Sequence, residues 1–328
     1  MKMENKKLSQ YSTIDAYKTY VYMFVFMMIF YLGFYIIIGL MSNVHGVSSE
    51  EILTSKHIVY FQGLVSPLMF CALFFWQNRE NKKQTFQMIG LNKKPNWKYI
   101  LFAVIMSGAC LLFFSGFSNL FDAVLGLVGF NPVDTLNLVR DNVGYLFLNL
   151  FVLSVLPAIF EELIFRGIVY NGLKSSHNSV FAIIVSAIMF SLMHGSLQQT
   201  LYQFIIGIVL AIVMFATENI LYPIILHFCN NAVVIISDFF IVSEEVVVYE
   251  FSLINIIIPI LLAIIGTILL IFIFKKVNRK RYEEQIASGR SVIIHKTFAM
   301  YSLSEKRFAI CGFVIATVVW LSNTISMF

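Results

Sequence analysis

Nine apolar runs limit what this chain can fold into. They lie near residues 20–41, 58–76, 99–121, 143–172, 179–195, 201–217, 220–240, 251–274 and 308–328. Most approach the roughly 20 residues that a helix needs to cross the hydrocarbon core of a bilayer. Lipid cannot satisfy the open edge of a sheet, so runs of this length read as helices and not as a barrel. Composition agrees: 59% of the 328 residues are hydrophobic and only 12% charged, with a mean hydropathy of +0.82. The expectation is an all-α, polytopic membrane helical bundle of about nine transmembrane helices. The count falls to eight if the last run, set apart by a long polar loop, does not span. A polar leader of about 18 residues precedes the first run, which is too long for a signal-peptide core and reads as a retained helix.

Charge placement orients the bundle. The loop at 77–98 carries Arg79, Lys82, Lys83, Lys93, Lys94 and Lys98 against Glu80. The loop at 275–307 carries nine Lys or Arg against Glu283, Glu284 and Glu305. The 238–250 loop holds Asp238, Glu244, Glu245 and Glu250 with no positive charge, and 118–142 is also acidic. With a cytoplasmic N-terminus, nine spans put every basic loop inside and every acidic one outside. This predicts a multi-pass protein of the cell membrane. The "KKVNRKR" stretch at 275–281 reads as a solvated flank, within reach of anionic lipid head groups. No nucleic-acid module, phosphate loop or internal repeat is present. The four cysteines sit in apolar runs without metal-site spacing and read as packing residues.

Ionisable groups divide the chain into three parts: N-terminal helices over 1–142, a polar-cored middle over 143–240, and C-terminal helices with their basic loop over 241–328. In the middle part stand Glu161, Glu162, Arg166, His194 and His227, with Asn230 and Asn231 beside the last. Charged groups at this depth are costly and face a bundle interior or a wet cavity, which makes them functional candidates. Glu162 and Arg166 are four apart, share a helix face and can neutralise each other. Glu161 is turned about 100° away. The polar turn "LKSSHNS" centres near Ser176 and His177, so Glu161 and His194 fall at about the same depth of an antiparallel hairpin. His227, Asn230 and Asn231 present an imidazole and amides on one helix face. Simple counting puts His227 about ten ångströms nearer the opposite membrane face than His194, so convergence would need tilt or a shortened helix. A glutamate beside a histidine can take a proton from water, and a histidine with an asparagine can bind an oxyanion. Together these groups suit amide hydrolysis.

The stretches "EELIFR", "FSLMH" and "HFCNN" match EExxxR, FxxxH and HxxxN, in the order and rough spacing of the CAAX-protease and bacteriocin-processing family. The resemblance covers roughly 143–237. It implies an intramembrane endopeptidase acting on a membrane-associated protein or peptide. Glu161 would be the catalytic base with His194 beside it, while His227 and Asn231 stabilise the oxyanion. Glu162 and Arg166 would be an architectural ion pair, with Asn230 supporting. No cofactor is implied by a glutamate mechanism, and the chain lacks HExxH. The alternative is zinc held by Glu161, His194 and His227 with a fourth position open. Two other functions compete. One is a non-catalytic membrane scaffold of the same fold, binding a sensor kinase or surface-protein machinery. The other is a transporter, for which the repeats and broken spans are missing.

Overall fold

The computed structural model describes residues 11–53, 55–79, 82–127, 129, 138–240 and 300–325, with six isolated positions between 257 and 272. Among the described residues eight principal helices form the bundle. They are α1 (Thr13–His45), α2 (Lys56–Gln77), α3 (Trp97–Leu127), α4 (Val143–Lys174), α5 (Ser179–Met193), α6 (Leu197–Thr217), α7 (Leu221–Phe240) and α8 (Leu303–Ile325). Two short helices, Ser49–Leu53 and Lys82–Met88, lie in the connections. No strand occurs among the described residues, so the protein is an all-α membrane bundle. Each of the runs near 20–41, 58–76, 99–121, 143–172, 179–195, 201–217, 220–240 and 308–328 carries a helix. The run at 251–274, the acidic loop after 240 and the "KKVNRKR" stretch lie outside the described elements. Among the described residues six stretches are both long and apolar enough to cross a membrane. The 15-residue α5 is not one of them; at 1.5 Å per residue it falls short of the hydrocarbon thickness.

Local chemistry fixes the helix ends. Ser12 and Asp15 form a reciprocal capping box at the start of α1, and Gly46 closes it in the left-handed region. Asn178 accepts from the Phe181 N–H at 2.7 Å and starts α5. The turn expected around Ser176 and His177 is therefore where the structure puts it.

α4 is not uniform. It widens into π-helical turns over Phe151–Val155 and Leu163–Tyr170. Pro157 has no N–H to offer Leu153, so the first widening sits where an α-type bond would be missing. Every residue from Leu163 to Tyr170 is buried, with α1, α2, α5 and α6 packed around that stretch. α5 and α6 form a close hairpin, α3 lies along α7, and α1 lies along α8. A Cβ on Gly207 would stand 3.1 Å from the Ala187 Cα, so the bare glycine lets α5 and α6 approach at the level of the buried charges.

The start of α7 is recessed. Ile220 is buried beside α4: a Cβ on Gly167 would lie 3.4 Å from Ile220 Cδ1. The 78–97 connection clasps this turn. Ile220 donates its N–H to the Ile89 carbonyl at 3.0 Å. Asn96 donates its N–H to the Tyr222 hydroxyl at 2.7 Å, and Lys93 reaches Glu218 at 3.0 Å.

Candidate active site

Three helices bring their motif residues together at one depth. Arg166, on the second π-helical stretch of α4, donates from Nη1 to Glu162 Oε1 at 2.7 Å and from Nη2 to the Gly207 carbonyl of α6 at 3.1 Å. Its guanidinium lies over the Phe190 ring of α5, 4.5 Å from the centroid. Glu162 and Arg166 are both fully buried, as the i,i+4 spacing predicts.

Glu162 does more than neutralise Arg166. The same Oε1 atom receives Nδ1 of His227, from α7, at 3.0 Å. A carboxylate only accepts, so His227 carries a proton on Nδ1, and in the neutral ring its Nε2 presents a lone pair. That Nε2 lies 4.0 Å from Glu161 Oε2. The separation is too long for a hydrogen bond and short enough for one water to reach both atoms. The reading of Glu162 as purely architectural is incomplete, because its carboxylate also aims the His227 ring.

Depth counting misplaces His227. It treats α4 and α7 as full-length α-helices ending at common levels. The recessed start of α7 beside Gly167 and the shorter rise of the wide turns in α4 together bring His227 level with the glutamate pair. His194 is held by the backbone of its own helix. It caps the C-terminal end of α5, and its Nδ1 donates to the Phe190 carbonyl at 2.9 Å. Among the described residues no hydrogen bond or ion pair joins it to Glu161. Its ring packs edge-on to Phe190 at 4.8 Å between centroids, and Phe190 also faces His227 at 6.0 Å and Phe165 at 5.1 Å. Phe190 is thus the apolar hub that the imidazoles and the guanidinium share.

The two asparagines separate. Asn230 is the buried one and donates from Nδ2 to the Tyr202 hydroxyl of α6. Asn231 is half-buried and makes no hydrogen bond among the described residues. Sequence reasoning missed Tyr202 and the Gly207 carbonyl. A tyrosine in an apolar run looks like any packed aromatic, and a backbone acceptor leaves no mark on the sequence. Among the described residues no three His, Cys, Asp or Glu side chains group closely enough to hold a metal ion. The zinc set of Glu161, His194 and His227 is therefore not assembled as these side chains stand.

Residues 143–233 match the family described as Rce1-like, type II CAAX prenyl endopeptidase. Over 89 residues the chain is 33% identical to the Bacillus subtilis (strain 168) protein named "Putative membrane peptidase YdiL". That alignment covers 27% of this chain and 36% of the relative, so it spans about a third of the relative's length. No solved structure matches. The resemblance carried by the three motifs is borne out over the segment that holds them.

Proposed function

We propose that this protein is an intramembrane endopeptidase that uses Glu161 to activate water against a peptide bond of a membrane-associated protein or peptide. One observation carries the reading. Glu161 faces the open ring nitrogen of His227, while Glu162 holds the other nitrogen and is itself neutralised by Arg166. A water between Glu161 and His227 would give one hydrogen to each acceptor and turn a lone pair toward the substrate. As its oxygen bonds to the carbonyl carbon, Glu161 takes the proton and the C=O π pair moves onto oxygen. Collapse breaks the C–N bond, and the proton on Glu161 passes to the leaving nitrogen. Asn231, with an amide not committed elsewhere, is a donor to the oxyanion. His194, its Nδ1 tied to the Phe190 carbonyl, keeps Nε2 free of any hydrogen bond among the described residues.

The test is cleavage of fluorogenic apolar peptides anchored in nanodiscs with the purified full chain. Wild type is run beside Glu161→Gln, each with and without a strong chelator. The reading requires loss of at least about 100-fold in the variant and no effect of the chelator on wild type. Activity removed by chelator and restored by zinc would reassign Glu161, His194 and His227 as ligands. Cleavage that survives Glu161→Gln would end the glutamate mechanism. If a cellular phenotype also survives that substitution, the chain acts as a scaffold.

A further inference from the structure

Hydrogen-bond accounting around α7 leaves donor hydrogens unspent. Asn230 gives Nδ2 to the Tyr202 oxygen, which leaves the hydroxyl hydrogen of Tyr202 without an acceptor among the described residues. The Asn230 Oδ1 atom is buried and also without a partner. Turning the amide over does not remove the surplus. Tyr202 would then donate to Oδ1, and the amide's two hydrogens would be the unspent ones. With Nδ2 facing Tyr202, as the structure has it, the unspent hydrogens include that of the hydroxyl; with the amide turned over they would lie on Asn230 alone. Native structures seldom leave such groups idle at a buried position, because each costs about 1–3 kcal/mol.

The position of the pair gives that donor a use. Asn230 is three residues after His227 and shares its helix face, so the pair sits within one turn of the ring that faces Glu161. His227 cannot supply a donor from Nδ1, which is committed to Glu162. The Tyr202 ring packs edge-on against Phe114 of α3 at 4.2 Å between centroids, which helps hold the hydroxyl in place.

We propose that Tyr202, held by Asn230, is a catalytic hydrogen-bond donor to the carbonyl oxygen of the scissile peptide, acting beside Asn231. It donates a hydrogen bond as negative charge develops on that oxygen and transfers no proton. The inference rests on the endopeptidase reading above. A donor aimed where charge develops contributes to kcat more than to substrate binding.

The experiment compares wild type, Tyr202→Phe and Glu161→Gln on the same nanodisc-anchored fluorogenic peptides, with kcat and KM separated and thermal unfolding midpoints measured. The expected result is a fall in kcat of about 10²-fold or more for Tyr202→Phe, measured per folded molecule, with KM within about twofold and a midpoint lowered only by the loss of the Asn230 partner. Substituting 3-fluorotyrosine at 202 keeps the packing and the hydroxyl, and retains most of the activity. Tyr202→Phe with wild-type kcat, while Glu161→Gln is dead, overturns the Tyr202 role and leaves the glutamate mechanism standing. A kcat loss in Tyr202→Phe that only tracks a lowered midpoint, and vanishes per folded molecule, reduces Tyr202 to packing. Full cleavage by Glu161→Gln overturns the glutamate mechanism, no cleavage by wild type across the peptides overturns the endopeptidase reading, and this inference falls with either.

Discussion

Arg166 is the largest fully buried side chain among the described residues, and its partners explain why it is tolerated there. Glu162, the Gly207 carbonyl and the Phe190 face occupy three of its directions. A membrane interior makes such a charge acceptable only when it is paired and hydrogen-bonded. The pairing is asymmetric under mutation. Arg166→Met strands the Glu162 carboxylate, which also loses the group that offsets its hold on His227, and should cost about 3–5 kcal/mol. Glu162→Gln with Arg166→Met removes both charges and should be less destabilised than Arg166→Met alone. Unfolding in detergent, followed by denaturant titration of the two variants, measures the difference. A double variant no more stable than the single one would mean that the ion pair matters to packing alone.

At the scale of elements, the helices were legible because apolar run length is a local property and their ends are marked by polar caps. The pairing of Glu162 with Arg166 was legible for the same reason, since both lie on one turn of one helix. What the sequence hid is relative depth. Nothing local says that α7 begins beside Gly167, or that α4 widens twice. The depth of α7 is set by contacts from a distant segment, and Gly90 is the tightest of them. It has φ of 80°, and a Cβ there would stand 2.0 Å from the Glu218 carbonyl oxygen. That position requires glycine for both conformation and space. Gly90→Ala should therefore cost about 1–3 kcal/mol through strain and overpacking. It should also lower kcat beyond what the stability loss explains, because the turn it displaces carries α7 and His227. Comparing unfolding midpoints with kcat separates the two effects. Unchanged kcat in the folded fraction would show that the clasp does not set the depth of His227.

Across the whole molecule, the two ends of the described chain meet at the α4–α5 turn. His177 donates from Nδ1 to the Leu173 carbonyl at 3.0 Å and receives the Tyr301 hydroxyl at Nε2, 2.6 Å away. Tyr17 of α1 joins Tyr301 at 3.3 Å. Burial pushes the Tyr301 hydroxyl up from its ordinary value, so it stays a donor throughout the neutral range. This knot ties α1, α4 and the entry to α8 on the same side as Lys174 and Lys93, whose neighbours are the basic residues of the 77–98 loop. The positive-inside rule would place that side in the cytoplasm. Glu161 lies nearer Lys174 than Val143 along α4, so the proposed site would open toward the cytoplasmic half of the bilayer. Labelling checks the orientation directly, in a background where Cys71, Cys110, Cys229 and Cys311 are replaced by serine or alanine. Val143→Cys, at the exposed start of α4, should react with a membrane-impermeant maleimide in intact cells. Lys93→Cys should react only after lysis. The reverse pattern would invert the bundle and put the buried glutamates nearer the outer leaflet, where a secreted or surface-bound peptide would be the substrate to seek.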